Sequence, residues 1–78
     1  MKDKIYEVIW IDSAADSRNW VNQHDIEDIA IAPECKSVGY LILEDKEKVV
    51  ICTSINDFQY GRIFTIPKCC IKKKKLIS

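Results

Sequence analysis

Apolar and polar residues alternate in short runs along most of this chain, and a period of two predicts β-strands. The run Ile5–Ile11 is rich in β-branched and aromatic residues, which favour strands. Residues 35–43 and 49–54 form two more runs on either side of a charged turn, and they predict a β-hairpin. Gly39 inside this hairpin predicts a bend, a bulge or a close approach of two backbones.

The last third of the chain predicts two further strands, at residues 62–66 and 71–77. Pro67 ends the first of them because it has no backbone N–H to donate. The three residues from Lys68 to Cys70 are enough for one tight turn before the last strand begins. Five strands in all predict an all-β or mainly β domain.

The connection between the first strand and the hairpin has no single period. Residues 12–19 are rich in turn formers and predict a long loop with room for one helical turn. In residues 20–32 the apolar spacing fits a short helix that Asp25 would cap, whereas Ile29 and Ile31 fit a short strand. Both interpretations stay open.

Composition places the chain among small folded domains. Its 78 residues make one domain, 1–78, with 47% apolar and 31% charged residues. Twelve basic side chains balance twelve acidic ones, which excludes a uniformly basic nucleic-acid-binding protein. The charges are unevenly placed, with a surplus of five acidic side chains in residues 1–34 and of five basic ones in residues 35–78. This asymmetry indicates an anionic partner or a head-to-tail contact.

The order of these elements resembles the small SH3-like barrel, and residues 61–71 are similar to the end of SH3 domains. The same order is similar to Sm-like RNA-binding proteins, in which Gly39 and Asp45 would occupy suitable positions. The resemblance implies a five-stranded barrel. The chain lacks the acidic, aromatic-rich loop with which SH3 domains bind peptides, and it lacks the Asn-Gly and Lys-His turns with which Sm-like proteins contact RNA.

Trp10, Trp20 and the segment 35–40 also make the chain resemble short uncharacterised proteins encoded by phages and prophages. This resemblance implies an accessory protein that acts in the cytoplasm of a host cell. No apolar run is long enough to span a membrane, and the first residues do not have the pattern of a signal peptide. We therefore expect a cytoplasmic protein without membrane contact, whose cysteines are reduced.

The basic residues near the end of the chain are the strongest candidates for a binding site. An electropositive strip suited to phosphate oxygens is predicted from Arg62, Lys68, Lys72, Lys73, Lys74 and Lys75. Stacking planes beside it are predicted from Trp20, Tyr40, Phe58 and Tyr60. An alternative explanation is that the four consecutive lysines only protect an edge strand from unwanted pairing.

Other candidate chemistry is poorly supported. Cys35, Cys52, Cys69 and Cys70 lack the spacing of zinc knuckles, so we predict small apolar side chains and no metal or cofactor. His24 has no nucleophile at a recognisable spacing, which argues against an enzyme.

These observations predict a non-enzymatic, phage-type β-barrel. Strand 1 and the hairpin are apolar on both faces, and a single barrel covers only one face, so a homo-oligomer is expected. The predicted activity is sequestration of a phosphate-bearing ligand, either a host signalling nucleotide or a nucleic acid, which would counter host defence. The alternative is an interaction module that inhibits or adapts a host protein.

Overall fold

The computed structural model describes residues 3–15 and 17–78, and five strands dominate it. The strands are β1 (Ile5–Ile11), β2 (Glu34–Glu44), β3 (Lys48–Ile55), β4 (Tyr60–Pro67) and β5 (Ile71–Leu76). A 3₁₀ turn, Lys68–Cys70, joins β4 to β5. The predicted mainly β class and the predicted order of elements are both confirmed. Within the described residues, no helix has the length and apolar character needed to cross a membrane.

All five strands belong to one antiparallel sheet with the order β4-β3-β2-β1-β5. The edge strands are therefore β4 and β5. The sheet is curled, because the ring of Trp10 on β1 lies 5.3 Å from that of Phe64 on β4, although these strands are not neighbours in the sheet.

The core lies inside this curl. Val8, Val49, Ile51 and Ile66 form its buried centre, and Trp10, Leu41 and Ile71 pack against it. Each of the five strands contributes at least one of these side chains, so the apolar alternation read from the sequence becomes a shared core.

Gly39 allows β2 and β3 to approach closely. A Cβ atom at this position would lie 2.6 Å from the Cys52 carbonyl oxygen, which is closer than a real contact permits. The irregularity in strand pairing lies a few residues further on, between Leu41 and Leu43. Of the three roles predicted for Gly39, the close approach is therefore the one it has, while Ile42 supplies the bulge.

Side-chain hydrogen bonds stabilise the two turns that join β2 to β3 and β3 to β4. Asp45 accepts hydrogen bonds from the Glu47 and Lys48 backbone N–H groups at 2.8 and 2.9 Å, and the Lys48 ammonium lies 2.6 Å from its other oxygen. These donors lower the pKa of Asp45 to about 2. In the turn between β3 and β4, the Asn56 side chain accepts the N–H groups of Phe58 and Gln59.

Residues 12–33 leave the sheet as a projecting segment, called here the arm, of which residues 12–15 and 17–33 are described. Its ends are joined where the Asp12 N–H donates to the Pro33 carbonyl at 2.9 Å. The arm contains a 3₁₀ turn, Gln23–Asp25, followed by α1 (Ile26–Ile29). The helical interpretation is thus confirmed and the strand interpretation is wrong. Asp25 precedes α1, but its side chain makes no capping hydrogen bond.

The arm gives the molecule an elongated shape. The Cα atoms extend over 53 × 21 × 20 Å, and their radius of gyration is 16.4 Å. A compact domain of this length would have a radius of about 11.5 Å. We attribute this larger radius to the arm. Its helix α1 contacts mainly the adjacent 3₁₀ turn and does not pack on the sheet.

Candidate anion-binding site

The four consecutive lysines lie on edge strand β5, and the structure separates them. Lys73 and Lys75 pair in register with Ile9 and Glu7 of β1, whereas Lys74 pairs with Val8, which points into the core. The register shifts at Lys72. Lys73 and Lys75 consequently lie on the outer face of the sheet and Lys74 on the inner side.

Three of the candidate lysines form ion pairs with carboxylates from the two ends of β2. The Lys72 ammonium lies 2.8 Å from Glu34, and that of Lys68 lies 2.9 Å from Glu44. Lys74 pairs with the other oxygen of Glu44, and its ammonium also lies 5.2 Å from the centre of the Tyr6 ring. These three cations tie β5 and the preceding turn to β2, so their charge is already partly compensated.

The carboxylates respond to these contacts. Hydrogen bonds from Lys74 and Lys68 lower the pKa of Glu44, and a hydrogen bond from Lys72 lowers the pKa of Glu34. Both glutamates are therefore ionised at neutral pH, as the ion pairs require.

Arg62 lies apart from the lysines. It is six residues before Lys68 along β4, which corresponds to about 20 Å of extended strand. It forms no ion pair with the part of the chain that the structure describes. The predicted continuous strip from Arg62 to Lys75 is therefore not assembled on one surface, and Arg62 belongs to a different feature.

That feature is a cleft of about 270 Å³ on the curled sheet. Arg62 lines it together with two hydroxyl side chains, Ser37 and Thr53, and with the aromatic ring of Phe64. The remaining walls are apolar and are formed by Val38, Ile51 and Cys52. The cleft therefore combines a cation, two hydroxyl groups and an aromatic ring with apolar walls. This combination suits an anionic ligand that carries a ring.

The backbone of Arg62 is unusual, with a φ of 55° in the left-handed region. It is the one described non-glycine residue with positive φ. Such a conformation costs about 1–3 kcal/mol and is found preferentially at binding sites. Here the strain occurs at the residue that supplies the only cation among the side chains lining the cleft.

Ser37 is oriented by Trp10. The Trp10 indole Nε1–H donates to the Ser37 Oγ at 3.0 Å. A hydroxyl that accepts one hydrogen bond still has its own proton to donate. The Trp10 ring also packs on Phe64, so Trp10 positions both the Ser37 hydroxyl and the Phe64 ring of the cleft.

The four predicted stacking residues do not line this cleft. Trp20 on the arm and Phe58 at the tip of the β3–β4 turn are 92% and 94% exposed, and Tyr60 is 45% exposed. Tyr40 is partly buried and lines two other depressions, one near Asp3 and Asn56 and one beside Val38 and Cys52. The structure therefore distributes these side chains over several surfaces.

Sequence reasoning missed Ser37, Thr53 and Phe64 as members of the site. Ser37 and Phe64 were recognisable only as strand positions, and their neighbours across the sheet are far away in the chain. The alternation of side chains along a strand could have indicated Phe64, because Arg62 and Phe64 are two residues apart in β4 and therefore lie on the same face.

The other candidate groups are dispersed. The Sγ atoms of Cys69 and Cys70 lie 3.9 Å apart in the 3₁₀ turn, and the contact with Cys69 raises the pKa of the Cys70 thiol. His24 Nε2 lies 3.4 Å from an Asp25 oxygen on the exposed arm. Among the described residues, no group of three or more histidine, cysteine or acidic side chains is arranged to hold a metal ion.

Comparison with protein-family models, with curated proteins and with solved structures found no match to this chain. The function must therefore be inferred from its own geometry.

Proposed function

We propose that this protein is a non-enzymatic binding protein that sequesters a phosphate-bearing small molecule of the nucleotide class in the Arg62 cleft. The observation that carries the proposal is an arginine without an ion-pair partner among the described residues, lining a cleft with two hydroxyl groups and an aromatic ring. The guanidinium would bind phosphate oxygens in bidentate fashion.

The remaining groups of the cleft complement this role. The Ser37 hydroxyl proton is available to a phosphate oxygen because its oxygen already accepts from Trp10. The Phe64 ring is 40% exposed and offers a plane against which a base can stack. A volume of about 270 Å³ is below the 300–1,000 Å³ typical of sites that enclose a whole small molecule, so we expect it to hold only part of the ligand.

The resemblance to phage-encoded proteins supports a host nucleotide as the ligand. A phage accessory protein in the host cytoplasm would meet signalling nucleotides there, and their removal would weaken a host defence that depends on them. Sequestration requires only tight binding and no chemical step.

The test uses Trp10 as a reporter, because its ring contacts Phe64 and its Nε1 binds Ser37. In a Trp20→Phe background, Trp10 is the only tryptophan. We expect ATP and other nucleoside triphosphates to change its fluorescence, adenosine to bind less tightly, and Arg62→Gln to weaken ATP binding by about 10- to 100-fold.

Lys46→Gln is the matched control, since it removes one positive charge from the exposed β2–β3 turn. ATP affinity should be unchanged in this variant and should fall with ionic strength in the parent protein. Absence of any nucleotide response at millimolar concentration would refute the proposal, and so would equal losses in Arg62→Gln and Lys46→Gln.

One observation favours a second function, that of a protein-interaction module. Phe58 is 94% exposed, and the backbone of its turn is fixed by two hydrogen bonds to the Asn56 side chain, so the ring projects into solvent from an ordered turn. Aromatic residues are frequent anchors of interfaces. If a host protein binds here, Phe58→Ser should abolish its co-purification, while Arg62→Gln should leave it intact.

A further inference from the structure

The arm carries apolar side chains that its own sheet does not cover. Trp20, Ile26 and Ile31 are 92%, 51% and 66% exposed. Between its two legs lies an open cavity of about 400 Å³ lined by alanine and isoleucine side chains, among them Ala14, Ile26 and Ile29. The arm is acidic in sequence, with five carboxylates and one arginine.

The outer face of the sheet has the complementary pattern around β1. Ile9 is flanked in register by Lys36 of β2 on one side and by Lys73 of β5 on the other. In the next row, Glu7 is flanked by Val38 and Lys75. Lys73 and Lys75 form no ion pair with any described residue.

The size of the exposed surface indicates that something covers it. The accessible surface is 6387 Å², whereas a compact monomer of 9.0 kDa would expose about 4,850 Å². The excess of about 1,500 Å² per chain amounts to about 3,000 Å² for two chains, which lies within the roughly 2,000–5,000 Å² that obligate homodimer interfaces bury in total.

We propose that the arm of one copy docks on the outer face of β1, β2 and β5 of a second copy, and that two such contacts form a symmetric dimer. The apolar residues of the arm would cover Ile9 and Val38, while Glu27 and Asp28 would face Lys36, Lys73 and Lys75. A two-fold dimer uses the same pair of surfaces twice, so no surface of this kind is left open.

A second copy is favoured over the arm's own sheet by the geometry at its base. The arm leaves at the end of β1 and returns at the start of β2, where the Asp12–Pro33 hydrogen bond closes it. The substantial contact of α1 is with the adjacent 3₁₀ turn and not with a strand of the sheet. The complementary charges would therefore meet when two molecules lie side by side. The docking surface shares Val38 with the wall of the Arg62 cleft, but the inference does not rest on nucleotide binding.

The decisive experiment is a charge swap followed by sedimentation at micromolar concentration. The first variant is Lys73→Glu with Lys75→Glu, and the second is Glu27→Lys with Asp28→Lys. Each variant alone should dissociate at least about 100-fold more readily than the parent dimer, because like charges would then meet at both contacts. An equimolar mixture should restore the dimer, since every acidic surface again meets a basic one.

Lys46→Glu controls for the change in net charge, and circular dichroism confirms that each variant retains the β-sheet. A parent protein that sediments as a monomer at these concentrations would overturn the proposal. A dimer that survives both double substitutions would also overturn it, because the interface would then lie elsewhere, for instance at the free edge of β4.

Discussion

The curled sheet and the arm both contain apolar side chains, but only the sheet buries them. Val8, Val49 and Ile66 on the sheet are at most 1% exposed, whereas no described residue of the arm is fully buried. The sheet therefore accounts for the stability of the single chain, and the apolar residues of the arm are those that the proposed dimer would cover. Substitutions in the two regions should separate these contributions.

The largest effect is expected at Gly39, where β2 and β3 are closest. In Gly39→Ala the new Cβ would lie 2.6 Å from a backbone oxygen, so the two strands must separate. We expect a loss of about 3 kcal/mol or more in the free energy of unfolding, measured by urea denaturation. Gly61→Ala is the control, because its nearest contact is a side-chain atom at 3.2 Å. Similar losses in both variants would contradict this explanation.

A smaller effect separates the two tryptophans. Trp10→Phe removes the hydrogen bond to Ser37 from a partly buried position, and we expect a loss of about 1–2 kcal/mol. Trp20→Phe changes an exposed side chain on the arm and should alter the stability of the monomer by less than about 0.5 kcal/mol. Denaturation at nanomolar concentration, where association is weak, tests both values. A larger loss for Trp20→Phe would mean that the arm packs on its own sheet.

The smallest effect concerns pH. Because Lys74 and Lys68 lower the pKa of Glu44 in the folded state, the folded state binds fewer protons than the unfolded state below pH 4.5. The stabilisation is therefore complete above pH 4.5 and is lost as the pH falls through the folded pKa. We expect Glu44→Gln to flatten the pH dependence of the urea midpoint between pH 5 and pH 3. Glu47→Gln in the exposed β2–β3 turn is the matched control, because this carboxylate forms no ion pair with any described residue, and the slope should stay close to that of the parent protein.

The sequence predicted those features that depend on neighbouring residues. Ile5–Ile11 became β1 without a change of bounds, and the three-residue turn after Pro67 formed where it was expected. Residues 20–32 gave no decision between helix and strand, because none of these apolar residues is buried in the core and no single spacing of apolar positions was therefore required.

The binding site was harder to predict because it depends on register. Lys72 is 38 residues from Glu34, and Lys74 is 30 residues from Glu44, so nothing local showed that these lysines are neutralised. Trp10 and Ser37 are separated by 27 residues in the same way. Arg62 was identified from its charge, but its partners became visible only when β3 and β4 were paired.

The strand order has a consequence for synthesis. β1 is synthesised before the other four strands and pairs with β5, which is synthesised after them, and the Ile5 backbone bonds to residues 77 and 78. The β2–β3–β4 meander contains only neighbouring pairings and can form early. β1 has one partner strand at that stage, and the other side of Val8 stays uncovered until β5 has been made. The core is thus completed by the final strand, and premature termination anywhere before Ile71 would leave an open apolar edge.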